Sequence, residues 1–120
     1  MTSIIYVGMD VHTQSHSVCA YRIGEEEVFA ETSFAASSDN IEKYLEVLKQ
    51  NNPATGFICG YEAGCLGYSL YRDLTKKGIE CRILAPSTMA TTPLDNIKKN
   101  DRLDARKIAK CLAYGTYKKV

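Results

Sequence analysis

A mixed five-stranded α/β sheet with helices on its faces is the fold this sequence predicts, and three observations predict it. Short β-branched and aromatic runs recur along the chain, three of them before any helical pattern begins. Helix-length apolar stripes then alternate with two more such runs, and strand, helix, strand in that order implies parallel pairing through right-handed crossovers. Finally, 120 residues with 45% hydrophobic and 24% charged side chains suit one globular domain rather than two. The expected order is βββαβαβα.

The first run, residues 4–10, is too short for a helix and ends at Asp10, so it reads as a buried strand. Residues 16–23 and 27–34 flank Gly24-Glu25-Glu26, a connection suited to a hairpin, giving three antiparallel strands in succession. Asp39 is the expected N-cap of the first helix, with Glu42 completing a capping box. That helix carries Ile41, Tyr44, Leu45 and Leu48 on one stripe and stops at Asn51-Asn52-Pro53, because proline disfavours helical angles in the residue before it.

Residues 55–62 form the fourth strand, followed by a helix with Leu66, Leu70, Tyr71 and Leu74 that closes at Lys76-Lys77-Gly78. A fifth strand spans residues 80–84 and is stopped by Ala85-Pro86. Residues 85–100 lack periodicity and read as a long connection. A last helix is expected from Asn100 or Asp101 to Tyr114, ending at Gly115.

Several function classes are excluded at this level. No apolar run approaches the roughly 18 residues of a bilayer span, and mean hydropathy is −0.22, so no membrane-spanning segment is expected. The start, Met1-Thr2-Ser3, lacks a basic segment and a following apolar one, so no secretory signal is expected either. Five cysteines, Cys19, Cys59, Cys65, Cys81 and Cys111, make an odd set with no C-x-x-C pair. They argue for a reducing, cytoplasmic setting in which cysteine acts as a small core residue.

Charge is distributed unevenly. Residues 1–60 hold 3 Lys/Arg against 8 Asp/Glu, net −5, whereas residues 61–120 hold 12 against 6, net +6. Lys98, Lys99, Arg102, Arg106, Lys107 and Lys110 concentrate that excess near the last helix, as either a phosphate-facing surface or a solvated helix face. Tyr114 and Tyr117 beside it are candidates for stacking bases, or simply for helix packing.

Four acids stand where apolar side chains belong. Asp10 continues the alternate set Ile4, Tyr6, Gly8, and Glu62 continues Ile58, Gly60. Each follows a glycine by two residues, a position that leaves room beside the carboxylate. On the last helix Asp101, Asp104, Ile108 and Cys111 fall on one face at spacings of three, four and three. A lone D-x-x-D is usually solvated surface, and Asp10 alone could be a turn residue; it is the matched contexts that point to a shared site. Carboxylates about 4 Å apart repel by roughly 4 kcal/mol at an effective dielectric near 20, so convergence requires protons or cations. Hard oxygen donors favour Mg²⁺ or Mn²⁺, the ions of metal-assisted phosphoryl transfer. His12 and His16 lie four apart, but in a segment that reads as a turn rather than a helix, which argues against a metal-binding pair.

Asp10 within residues 6–12, Glu62 within residues 60–67, and Asp101 and Asp104 within residues 99–109 resemble the Asp-Glu-Asp-Asp tetrad of insertion-sequence transposases whose N-terminal domain is similar to Holliday-junction resolvases. The resemblance covers nearly the whole chain, and its third motif is the most specific. It implies an RNase H-like (RuvC-like) fold, with Asp10, Glu62, Asp101 and Asp104 as catalytic metal ligands for Mg²⁺ or Mn²⁺. It also implies DNA as substrate, a structured guide RNA encoded by the element, and assembly as a homo-oligomer. In the family a C-terminal domain supplies a serine nucleophile, so the 120 residues are expected to be an N-terminal transposase domain without that partner. Two other classes compete: a non-catalytic nucleic-acid-binding or dimerisation module, and an actin-like or sugar-kinase ATPase. The ATPase would need a glycine-rich phosphate turn after the first acid, where Val11-His12-Thr13-Gln14 supplies no glycine.

Overall fold

The computed structural model describes residues 3–53, 55–63, 68–85 and 104–116. The elements are β1 (Ser3–Val11), β2 (Ser15–Tyr21), β3 (Phe29–Ala35), α1 (Ser38–Asn51), β4 (Thr55–Glu62), α2 (Ser69–Lys76), β5 (Cys81–Leu84) and α3 (Ala105–Tyr114). They make one five-stranded sheet in the order β3-β2-β1-β4-β5. The pairs β1/β2 and β2/β3 are antiparallel, and β1/β4 and β4/β5 are parallel, as the order of elements predicts. Residues 86–100, read from sequence as a connection, lie outside the described residues, as do Cys65 and Leu66.

The two faces of the sheet are covered differently. Ile5, Val7, Met9 and Val11 of β1 face one way with Val18, Ala20, Cys59, Tyr61, Cys81 and Ile83, under Ile41, Leu45 and Leu48 of α1 and Leu70 and Leu74 of α2. The periodic stripe of α1 thus does what its spacing predicts, with Tyr44 half-buried at its margin. The opposite face carries α3: Ile108, Cys111 and Leu112 meet Leu84 and Tyr6, and Ala105 and Ala109 meet Cys19 and Tyr21. Cys19, Cys59, Cys81 and Cys111 are free thiols buried in these two layers, and burial pushes Cys19 and Cys81 up to about 12, which leaves them inert as thiolates.

Three local expectations are corrected. Ser37, not Asp39, caps α1: its hydroxyl accepts from the backbone N–H groups of Asp39 and Asn40 at 3.1 and 3.3 Å. Asp39 and Glu42 do not close a capping box; both carboxylates bind Lys77 Nζ, at 2.6 and 3.3 Å, and tie α1 to the end of α2. Tyr71, expected on the apolar stripe of α2, is exposed. Its backbone N–H instead donates to the buried Tyr61 hydroxyl at 3.1 Å, which satisfies one free amide of the first turn and one buried polar atom together.

The third correction concerns α3. Asp104 has extended angles, φ −81° and ψ 173°, so the helix cannot run through it from Asp101. It begins at Ala105, with Asp104 as its N-cap. Gly115, at φ +68°, ends it in the left-handed conformation that glycine adopts without strain. No helix among the described residues is long and apolar enough to cross a membrane.

Candidate metal centre and basic face

Parallel pairing of β1 with β4 sets the register of the two strand acids. Gly8 lies beside Gly60 and Met9 beside Tyr61. The pairing ends there, and Asp10 and Glu62 are the next residues of the two strands, on the face that α3 covers. Both acids are partly exposed. Neighbouring carboxylates at the carboxyl ends of two parallel strands make a concentrated hard-oxygen site.

The glycines before these acids do leave room, and what fills it is α3. A Cβ on Gly8 would stand 2.1 Å from the Ala105 carbonyl oxygen and 2.5 Å from the Ala109 nitrogen, both backbone atoms. A Cβ on Gly60 would stand 2.7 Å from the methyl carbons of Leu112. With Ala105 and Ala109 offering only methyl groups, helix and sheet approach almost backbone to backbone. This contact brings the start of α3 over β1 only two residues before Asp10.

Asp104, one residue before Ala105, is exposed and engaged. Its Oδ1 accepts from the Lys107 N–H at 2.9 Å, the N-cap bond. It does not project inward from a helical turn beside Ile108 and Cys111, as its spacing in sequence predicts; only those last two are buried. Electrostatics records the proximity of the acids to both layers. The Cys19 thiol of β2 is raised by burial first, then by the Glu31 and Asp104 carboxylates, with Arg106 opposing; the Cys111 thiol of α3 is raised by burial and then by Glu62. Among the described residues no three His, Cys, Asp or Glu side chains stand close enough to hold a metal ion. Asp101, the fourth member of the expected set, lies outside them.

One polar neighbour of Asp10 was not expected. His12 Nε2 stands 3.4 Å from Asp10 Oδ1, with side-chain exposures of 49% and 22%. The signal was present in the alternation Gly8, Asp10, His12, and the turn-like segment between His12 and His16 already argued against pairing the two. His16 is 2% exposed and sits edge-on to Phe34, on the side of the sheet covered by α1. The two histidines form no pair.

Of the expected basic track, Arg106, Lys107 and Lys110 are described and exposed, while Lys98, Lys99 and Arg102 lie outside the described residues. Arg106 is engaged by the acidic hairpin, its Nε donating to Glu31 Oε2 at 2.7 Å. Lys110 lies over the Tyr21 ring, 5.8 Å from its centroid. Tyr114 is exposed at the end of α3 and shares a 2.7 Å hydrogen bond with the Tyr21 hydroxyl, so packing already occupies its polar end; Tyr117 is outside the described residues.

Comparison with known proteins agrees with this architecture. The profile of the IS110-type DEDD transposase family, described as transposase, matches residues 7–120. The chain is 34% identical over 108 residues to the transposase of insertion sequence element IS1533 from Leptospira borgpetersenii. It is 33% identical over 113 residues to y4qE of Sinorhizobium fredii, a protein that carries a transposase name. These alignments cover 90% and 92% of the chain but 30% and 28% of the relatives, so the chain spans less than a third of their length. Among solved structures, Thermus thermophilus RuvC, in a complex with Holliday junction substrate, superposes with a TM-score of 0.51 at 9% identity, over 97% of this chain and 99% of that one. That likeness fixes the fold as RuvC-like, a mixed sheet of the RNase H type.

Proposed function

Because the chain belongs to the IS110-type DEDD transposases, an insertion-sequence family whose fold here is RuvC-like, we propose that it is the N-terminal, metal-binding domain of a DNA transposase or site-specific recombinase. Asp10, Glu62, Asp101 and Asp104 hold the Mg²⁺ or Mn²⁺ ions. Lys98, Lys99, Arg102, Arg106, Lys107 and Lys110 hold the DNA backbone, together with a structured guide RNA. The observation that carries this reading is the parallel pairing of β1 with β4 as far as Met9 and Tyr61, after which Asp10 and Glu62 come next along the two strands, on the face that α3 covers.

The chemistry of the donors suits such an ion, while among the described residues no three of them stand close enough to hold one. Asp10 and Glu62 offer hard carboxylate oxygens at neighbouring positions, and Asp104 binds Lys107 N–H through Oδ1 alone, which leaves its second oxygen beyond the cap bond. A bound divalent cation supplies Lewis acidity for phosphoryl transfer. The chain's own part is to hold like charges together against repulsion of several kcal/mol. Arg106 exchanges its Glu31 partner for a phosphate oxygen, and Lys107 and Lys110 extend that contact along the exposed side of α3.

Calorimetric titration with Mn²⁺ tests the reading. The 120-residue chain is expected to bind, and Asp10→Asn to weaken binding by about tenfold or more while melting at the same temperature. Equal binding by both proteins, or none by the wild type, leaves only a nucleic-acid-binding or dimerisation module.

A further inference from the structure

We propose that Ser17 and Ser33 form a phosphate contact for DNA, on a polar row that runs from Asp10 across β2 to the edge of the sheet at β3. The inference rests on the DNA-binding reading above and adds to it two residues outside the acids and the basic helix. Its basis is the register of the antiparallel strands. Asp10 pairs with Ser17, and Ser17 pairs with Ser33. Strand spacing then sets Ser33 about 10 Å from the acid. One rung back, Gly8 pairs with Cys19, and that rung lies against Ala105 and Ala109 of α3. The next rung on this face, toward the strand end, is open to solvent: Asp10 and Ser17 are partly exposed and Ser33 is exposed.

The chemistry of the row points to a phosphodiester. Ser17 Oγ and Ser33 Oγ stand 2.9 Å apart and share a hydrogen bond. Two hydroxyls carry two hydrogens, so one holds the pair together and the other can be donated outward. Serine hydroxyls contact phosphate oxygens in protein–DNA complexes and fix where the strand lies without reading its sequence. A neutral donor suits this position, because a lysine or arginine beside Asp10 would be drawn to the carboxylate instead of a phosphate. The cation stands to the side: Arg106 Nε donates at 2.7 Å to Glu31, two residues before Ser33 on β3. A backbone held by Arg106 and the serine pair is thereby led along the sheet toward the acids.

Fluorescence anisotropy of a labelled DNA duplex, titrated with the 120-residue chain from about 50 to 200 mM salt, provides the test. Ser33→Asp sets a negative charge on the row and is expected to weaken binding about tenfold, since like charges brought together oppose association. Thr32→Asp adds the same charge one residue away, also exposed, but paired with Val18 of the opposite face, and is expected to weaken binding less than about twofold. Replacing both serines with alanine is expected to cost about fivefold or more while leaving the slope of log affinity against log salt unchanged, because no cation is lost. Lys107→Gln, by contrast, lowers that slope by about one. Equal losses from Ser33→Asp and Thr32→Asp show an effect of net charge alone and overturn the contact, while the Lys107→Gln slope keeps the basic face standing. A loss confined to structured RNA, or alanine variants that melt earlier and bind DNA as before, likewise overturns it. Absence of DNA binding by the wild type overturns both readings.

Discussion

Alternate residues of β1 belong to two different structures. Ile5, Val7 and Met9, all fully buried, fill the space beneath α1 and α2 with side-chain volume. Tyr6, Gly8 and Asp10, interleaved with them, pass from an apolar contact with α3, through a position where no side chain fits, to a partly exposed acid. On the first face the helices stand off by the length of a side chain, and many apolar combinations can fill the gap. On the second, distance is set by backbone contact, and that closeness brings a helix start to the acidic strand ends. Side-chain packing is thus distributed over many residues on one face, while the approach of α3 on the other depends on the absence of side chains at Gly8 and Gly60.

Paired substitutions at adjacent positions of β1 give the largest effect and can break this contrast. Gly8→Val drives a branched side chain into the Ala105 carbonyl and the Ala109 amide, neither of which can turn aside. It is expected to unseat α3 and cost about 4 kcal/mol, in the range of the most damaging single changes. Met9→Leu, equally buried on the other face, conserves volume and is expected to cost less than about 1.5 kcal/mol. Urea midpoints of the two variants decide the matter. Similar losses mean that the α3 face tolerates repacking as the other does, and that its close contact is not what positions the site.

A smaller effect sharpens the role of Asp104. As an N-cap it can be replaced by asparagine, whose side-chain oxygen accepts the same Lys107 N–H bond, so Asp104→Asn is expected to leave stability unchanged. Asp104→Ala forfeits the cap and is expected to cost about 1 kcal/mol. Metal affinity should order the variants differently, with asparagine and alanine both weakened, because there the lost charge matters. If asparagine binds Mn²⁺ as well as wild type, Asp104 is a cap and nothing more.

These assignments show where sequence was informative. Alternation along residues 4–10 and 55–62 is set by the strand itself, so the side of the sheet taken by Asp10 and Glu62 could be read directly, as could the stripe Ile41, Leu45, Leu48. Glycine two residues before each acid announced a close approach. It could not announce the visitor, because α3 lies at the far end of the chain. Cap positions were ambiguous for a different reason. In Ser37-Ser38-Asp39 each side chain can accept an amide, and it is Lys77, distant in sequence, that draws Asp39 away. Asp104 satisfied two local rules at once, helical spacing from Asp101 and the chemistry of an N-cap, and its backbone angles follow the second.

The least effect is expected on the face of the sheet that carries no acids, from a polar residue buried among apolar ones. His16 is 2% exposed among apolar neighbours, its ring edge-on to Phe34 and its Nδ1 without a hydrogen-bond partner among the described residues. Burial lowers its pKa below the ordinary 6.5, with the charge of His12 adding to the effect and a Ser15 backbone hydrogen bond opposing it. The unfolded chain therefore takes up a proton at a higher pH than the folded one. Stability is complete above about pH 6.5 and is lost as pH falls through that value toward the lower, folded pKa. Replacing the ring with an apolar side chain, His16→Leu, removes the group that titrates. Urea midpoints measured from about pH 8 to pH 5 should fall more steeply for wild type than for the variant, the other ionisable groups being common to both. Parallel curves mean that His16 is solvated in solution and that this layer is less closed than its burial implies. A steeper wild-type curve places the pH-sensitive element of the fold in the layer opposite the carboxylates, so that acid weakens the sheet through α1 while Gly8 still holds α3 against Asp10.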